Sequence, residues 1–199
     1  MTAYTDFVES IREWAARPDW SDTLVHTFIR TAEAQIARRL RVKEMMEIAD
    51  GLVDANRVKL PVDWKELDYV RLNNGLPLHY QARDDFFSEK GERSRKYTIV
   101  GNYIMFGASI DAINGMPVEI SYYKDVPPFV DDPTWLSLNY YDIYLQKCLS
   151  VGYLYGVEVE KSVAISNVVD GFIDAANDEH INSRNSGSVL RRRGTRRIG

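Results

Sequence analysis

A histidine, a thiol or a carboxylate does chemistry only with a partner at the right spacing, and this chain supplies few such pairings. His26, His79 and His180 fall in different elements, and none stands at ligand spacing from a second histidine or a cysteine. Each reads as an ordinary surface or half-buried residue, so no metal role is expected. Cys148, the single cysteine, sits near Leu145 and Leu149 and reads as a core thiol rather than a nucleophile. One cysteine allows no intrachain disulfide framework and no Cys-based zinc site, which suits a reducing cytosol. Acidic pairs occur at Asp84-Asp85, Asp131-Asp132 and Glu158 with Glu160. Converging carboxylates would suit a metal-dependent enzyme. Each pair also has a plainer role: Asp131-Asp132 precedes Pro133 as turn chemistry, and Glu158 and Glu160 open a helix, where acids complement the dipole. No Gly-rich phosphate loop, Gly-x-Ser-x-Gly or dinucleotide fingerprint occurs. No catalytic residue, metal or cofactor is assigned, and the chain is read as non-enzymatic.

Binding chemistry is better represented. Tyr140, Tyr141, Tyr144, Tyr153 and Tyr155 crowd one stretch, and the chain has 12 tyrosines in all. Stacking platforms for single-stranded nucleic acid interleave aromatics with basic residues. Here the only nearby base is Lys147, so these rings are read as core and protein interface. The terminal segment 184–199 holds six arginines (Arg184, Arg191, Arg192, Arg193, Arg196 and Arg197) and no acid. Six of the 25 basic residues thus lie in the tail, leaving 19 against 29 acids in residues 1–183. The net charge of −4 therefore divides into a body at −10 and a tail at +6. Three readings of the tail follow: a solvated terminus, a phosphate-neutralising arm, or a segment that orders on a protein partner. Val189, Leu190 and Ile198 interrupt the arginines, which suits a docking segment better than a phosphate-neutralising one.

The elements that must carry these groups are legible from periodicity. Phe7, Val8, Ile11, Trp14 and Ala15 predict a helix over 5–16, ended by Pro18. Val25, Phe28, Ile29, Ala32, Ile36 and Leu40 predict a second over 22–41, capped by Ser21 or Asp22. The period then shortens. Strands are expected over Val42–Ile48 and Arg57–Leu60, around a turn at Asp50-Gly51 or Asp54-Ala55-Asn56. Another pair is expected within 67–80, turned by Asn73-Asn74-Gly75. Arg83–Lys90 reads as a short helix or a loop. Lys96–Phe106 reads as a hairpin about Gly101-Asn102, and Pro117–Tyr123 as a further strand. Helical spacing returns over 138–155 and 157–180. The expectation is an α+β fold: one domain over 1–183, with helices 5–41 and 138–180 around an antiparallel β-rich insertion at about 42–123. An extended basic arm follows at 184–199. No apolar run approaches membrane-spanning length, and Met1–Asp6 lacks the basic-then-apolar pattern of a signal peptide, so neither is expected.

Four segments, taken in order, resemble the head-to-tail adaptor (connector) proteins of tailed bacteriophages. They are Phe28-Ile29-Arg30-Thr31-Ala32-Glu33 with Ile36-Ala37-Arg38-Arg39-Leu40-Arg41; Leu60-Pro61-x-Asp63; and Pro117 through Lys124 leading to Pro127. The fourth is Trp135-Leu136-Ser137-x-x-Tyr140-x-Asp142-x-Tyr144-Leu145. The resemblance makes 1–183 an adaptor domain and implies a structural virion protein at the capsid–tail vertex, assembled in the host cytoplasm. It implies a ring of about twelve copies under the portal protein, attachment of a tail or nozzle protein, and genomic DNA passing through the channel without sequence-specific binding. It also implies that the C-terminal segment docks on the portal. In this chain that assigns docking to Arg184, Val189, Leu190, Arg191, Arg192, Arg193, Arg196, Arg197 and Ile198. Two alternatives remain open: a nucleic-acid-binding module using the arginine tail, and an enzyme with an acidic site at Asp84, Asp85, Asp131 or Asp132.

Overall fold

Apolar residues at helical spacing need a common surface to bury against, and the helical part of the chain supplies one. The computed structural model describes residues 3–89, 93–130 and 132–192. It divides into two units, Met1–Glu44 with Val126–Gly199, and Met45–Asp125. The first contains α1 (Ala3–Ala15), α2 (Asp22–Arg39), α5 (Trp135–Asn139), α6 (Tyr141–Tyr155) and α7 (Val159–Arg192). The second contains β1 (Met46–Leu52), β2 (Arg57–Lys59), β3 (Trp64–Leu72), β4 (His79–Tyr80), α3 (Arg83–Ser88), β5 (Lys96–Val100), β6 (Tyr103–Phe106), α4 (Ile110–Ile113) and β7 (Pro117–Lys124). The fold is α+β, and no helix among the described residues is long and apolar enough to cross a membrane.

In the helical unit α6 is the hub, packed against α1, α2, α5 and α7. Its Ile143, Tyr144, Leu145, Cys148 and Leu149 are buried, alongside Phe7 and Ile11 of α1 and Phe28, Ile29 and Ile36 of α2. Gly152 lets α6 approach Trp20 and Phe28: a Cβ there would lie 2.6 Å from the indole. Ser21 is the cap of α2, its side chain accepting from the Leu24 N–H. The expected helix over 138–155 begins earlier and is interrupted. α5 stops at Asn139, and Tyr140 leaves helical geometry at φ −133°, ψ 40° before α6 starts.

In the second unit two sheets share one core. The three-stranded sheet runs β1-β7-β3, all antiparallel, and the four-stranded sheet runs β2-β6-β5-β4. Val118, Ile120 and Tyr122 alternate inward from β7, as their period-2 spacing requires, and join Val53, Val70, Ile104 and Phe106 in the core. The hairpin over Lys96–Phe106 is present, with Gly101 at φ 59° in its turn.

Several local expectations are corrected. Lys43–Met45 is a 3-10 turn, so the first strand starts at Met46 and runs straight through Asp50-Gly51. The turn lies at Ala55-Asn56, both at positive φ, closed by hydrogen bonds between Asp54 and Arg57 of 2.9 and 3.0 Å. That bridge does not extend into a ladder: β1 pairs with β7, and β2 with β6. The turn at Asn73-Asn74-Gly75 is real, yet β3 pairs with β7, and β4 lies parallel to β5. A parallel pair stands in what was expected to be a wholly antiparallel block. Finally, α7 continues as helix through Asn185-Ser186-Gly187-Ser188 to Arg192, so the arm expected to be extended from residue 184 begins as helix. Asn and Ser raise the cost of helix by tenths of a kcal/mol each and Gly by about 1 kcal/mol, and none of them by itself ends one.

Candidate functional site

Five of the residues expected to dock, Arg184, Val189, Leu190, Arg191 and Arg192, stand at the end of α7, so the fixing of α7 decides what that end can do. Its buried face carries Ser162, Val169, Ile173 and His180. Ser162 and Ser150 of α6 are locked reciprocally: Ser150 Oγ donates to the Ser162 carbonyl at 3.0 Å, and Ser162 Oγ to the Ser150 carbonyl at 2.8 Å. The ammonium of Lys147 on α6 donates to Ser166 Oγ at 3.2 Å. Both serines in the first pair are buried, so these bonds satisfy groups that would otherwise be costly.

Farther along, α7 closes the end of α2. Asn177 accepts the Arg41 N–H, just past the end of α2, at 2.7 Å and donates at 3.0 Å to the Arg39 carbonyl, one of those a helix C-terminus leaves unpaired. Arg39 reaches Asp170 at 2.5 Å and Asp174 at 3.0 Å. These side chains are substantially exposed, so the pairs fix register more than they stabilise. Beyond them a polar groove of about 490 Å³ is lined by Glu44, Tyr140, Glu179, His180 and neighbours. Burial and the adjacent Glu44 push the Tyr140 hydroxyl up to about 12.

Hydrogen-bonded joints, most of them part-buried, tie the segments that carried the resemblance. Glu33 of α2 accepts the Tyr144 hydroxyl at 2.6 Å and the Phe129 N–H at 2.8 Å, fastening α2, α6 and the chain after Pro127. Burial raises the Tyr144 hydroxyl, with Cys148 and Glu33 adding to it, and burial likewise raises the Cys148 thiol. A thiol held protonated and fully enclosed is a packing group. In the sheet unit, Glu119 of β7 accepts Tyr69 at 2.6 Å and Arg71 at 2.6 Å; the Arg71 bond first, then the Tyr69 bond, lowers its carboxyl below the ordinary range. Tyr122 donates to Asp63 of the Leu60-Pro61-x-Asp63 segment at 3.1 Å, and Lys124 to Glu47 at 2.7 Å. Those motif residues are joints of the fold.

The expected docking residues are placed as follows. Arg184 is exposed on α7. The backbone at Val189, Leu190, Arg191 and Arg192 is helical. Arg193, Arg196, Arg197 and Ile198 lie outside the described residues. Of the acidic alternatives, Asp84 and Asp85 sit in the first turn of α3, Asp132 belongs to the other unit, and Asp131 lies outside the described residues. Among the described residues no three His, Cys, Asp or Glu side chains form a metal-holding group. Sequence reading quoted Glu33 only as part of a helical motif and not as a joint, missed Asn177, and undervalued His180. The signal available for the last two was their helical spacing from Ile173, which sets them on the side of α7 that Val169 and Ile173 bury. A search of curated proteins finds no match. The model of one family, the SU10 adaptor protein, matches residues 2–193, nearly the whole chain. With its four ordered motifs serving as structural joints, the chain belongs to this phage head-to-tail adaptor family.

Proposed function

We propose that the chain forms a ring of about twelve copies beneath the portal, joins capsid to tail, and lines the path along which genomic DNA leaves. The family supports a structural virion component that works with other head and tail proteins. The observation that carries the finer reading is α7: a helix locked to α6 and α2 along its buried face, running on without interruption into the basic segment. A helix so anchored presents its end in a defined direction. The arginines would pair with portal carboxylates, where bidentate contacts add geometry to charge. Val189, Leu190 and Ile198 would set register in apolar pockets. DNA would slide past an acidic or mixed wall that offers it few phosphate contacts.

Removing residues 184–199 tests this. The truncated subunit should fold with unchanged far-ultraviolet dichroism per remaining residue and fail to co-sediment with portals. Undiminished portal occupancy would overturn the docking role. Normal occupancy with lost salt-dependent DNA binding would assign the arginines to phosphate instead.

A further inference from the structure

Two outward faces of the helical unit have unlike character. On α2, Thr27, Arg30, Ala34 and Arg38 are exposed, with Thr31 and Gln35 beside them along a groove of about 410 Å³. Thr27 and Thr31 spend their hydroxyls within the helix, donating to the Thr23 and Thr27 carbonyls at 2.9 and 2.8 Å. Arg30 and Arg38 have no hydrogen-bond or ion-pair partner among the described residues. Two turns separate them, about 12 Å along the axis. The face carries no acid, because Glu33 is turned to Tyr144 and Phe129. It is cationic and unpaired.

On α7, Ala164, Val168, Gly171, Phe172 and Ala175 are exposed, following one another at helical spacing along one side. A Cβ at Gly171 would meet nothing within 4 Å. Asp178 and Glu179 follow close after Ala175, exposed and without a hydrogen-bond or ion-pair partner among the described residues. This face is apolar, with small side chains around Phe172, and it ends in free carboxylates. Small side chains on both helices permit the close axial approach of about 8 Å seen in tight helix pairs.

Either face against its own copy would oppose like charges. Arginine would meet arginine, or carboxylate would meet carboxylate, so a two-fold contact is disfavoured. The two faces complement each other. A contact between unlike faces of identical chains is heterologous, and it closes into a ring when the rotation permits. We infer that the Arg30–Arg38 face of α2 in one copy packs on the Ala164–Glu179 face of α7 in the next, with a second copy of this chain as the occupant. This rests on the ring reading above and names the surfaces that build the ring.

The test uses full-length subunits assembled on portals. Arg30→Glu with Arg38→Glu should cut ring occupancy about ten-fold or more, as should Asp178→Lys with Glu179→Lys. All four substitutions in one chain should restore it to within about three-fold, because the attraction is merely inverted. Thermal melts confirm folding, and the milder Arg30→Gln with Arg38→Gln should give an intermediate loss. A second measurement is independent of charge. Subunits bearing Ala34→Cys, mixed with subunits bearing Ala175→Cys, should cross-link under oxidation, while neither variant alone should. Cys148 is enclosed and will not interfere. If both reversals occupy portals like wild type and no mixed cross-link forms, the inference is overturned while the ring reading stands. If wild type itself makes no ring on portals, the ring reading fails and this inference falls with it. If the α2 variants assemble normally but lose DNA binding, the face reads phosphate and the inference is overturned.

Discussion

The central strand of the sheet unit, β7, pairs its polar side chains within the unit, whereas the outer sides of two helices in the helical unit leave charges open. On β7, Glu119, Ser121, Tyr122 and Lys124 each find a partner on a neighbouring strand or loop. On the outer sides of α2 and α7, Arg30, Arg38, Asp178 and Glu179 find no hydrogen-bond or ion-pair partner among the described residues. A charged group without a partner loses nothing while water solvates it, so such groups can be reserved for a contact formed later. The same contrast appears between two glycines of the helical unit. Gly152 on α6 is closed over by Trp20 and Phe28, whereas Gly171 on α7 faces open space. One glycine serves the fold; the other lies on a surface the fold does not use.

The largest effect expected from this contrast is at Gly152. A Cβ there would lie 2.6 and 2.9 Å from two atoms of the Trp20 ring and 3.3 Å from Phe28. Rigid aromatic walls cannot yield as a flexible side chain would. Overpacking of this kind costs about 1–3 kcal/mol, against about 1 kcal/mol gained from replacing glycine in a helix. With walls this close the upper end of that cost applies, so Gly152→Ala should lose about 2 kcal/mol in urea-induced unfolding, with altered tryptophan emission. Unchanged stability would mean that the Trp20 contact is looser than its geometry.

Much of the fold is legible in the sequence, for reasons that show where legibility stops. The apolar stripes of α1 and α2 repeat at about 3.6 residues, and that period is a property of the local chain. The pairing of β1 with β7 joins Met46 to Tyr123 and Leu52 to Pro117, and no local spacing encodes it; proximity in sequence favours β1 with β2 instead. The break at Tyr140 has no glycine or proline to announce it. The run Asn185-Ser186-Gly187-Ser188 looks like a stop, yet the helix carries through to Arg192. The site fares similarly. A basic terminal segment is plain from composition, but the anchoring of α7 depends on Asn177, Ser162 and Arg39 meeting partners distant in sequence.

The sheet unit gives the next test, through pH. Glu119 is lowered first by the hydrogen bond from Arg71, then by that from Tyr69. A carboxyl whose folded value lies below its unfolded one contributes stability that is fully present above the unfolded value of 4.5, and that stability is lost as pH falls through the lower folded value. Wild type should lose stability as pH drops below about 4.5. Glu119→Gln should be less stable near neutrality and show a shallower decline over that acid range. Parallel pH profiles for the two proteins would show that the Tyr69–Glu119–Arg71 joint does not hold the sheet.

The smallest effect sharpens the contrast from the open side. Gly171 lies inside α7 with nothing within 4 Å of the place a Cβ would occupy, and its φ is not in the left-handed region. Alanine there adds no clash and removes backbone freedom from the unfolded chain. Gly171→Ala should thus raise the stability of the free subunit by about 0.5–1 kcal/mol, opposite in sign to Gly152→Ala on the helix beside it. Thermal unfolding of both variants against wild type reads the difference directly. A loss at Gly171 would mean that some part of the same chain already covers this face of α7, and the face would then be unavailable to a neighbouring copy. A gain in the free subunit leaves the face open, as a contact made only on assembly requires.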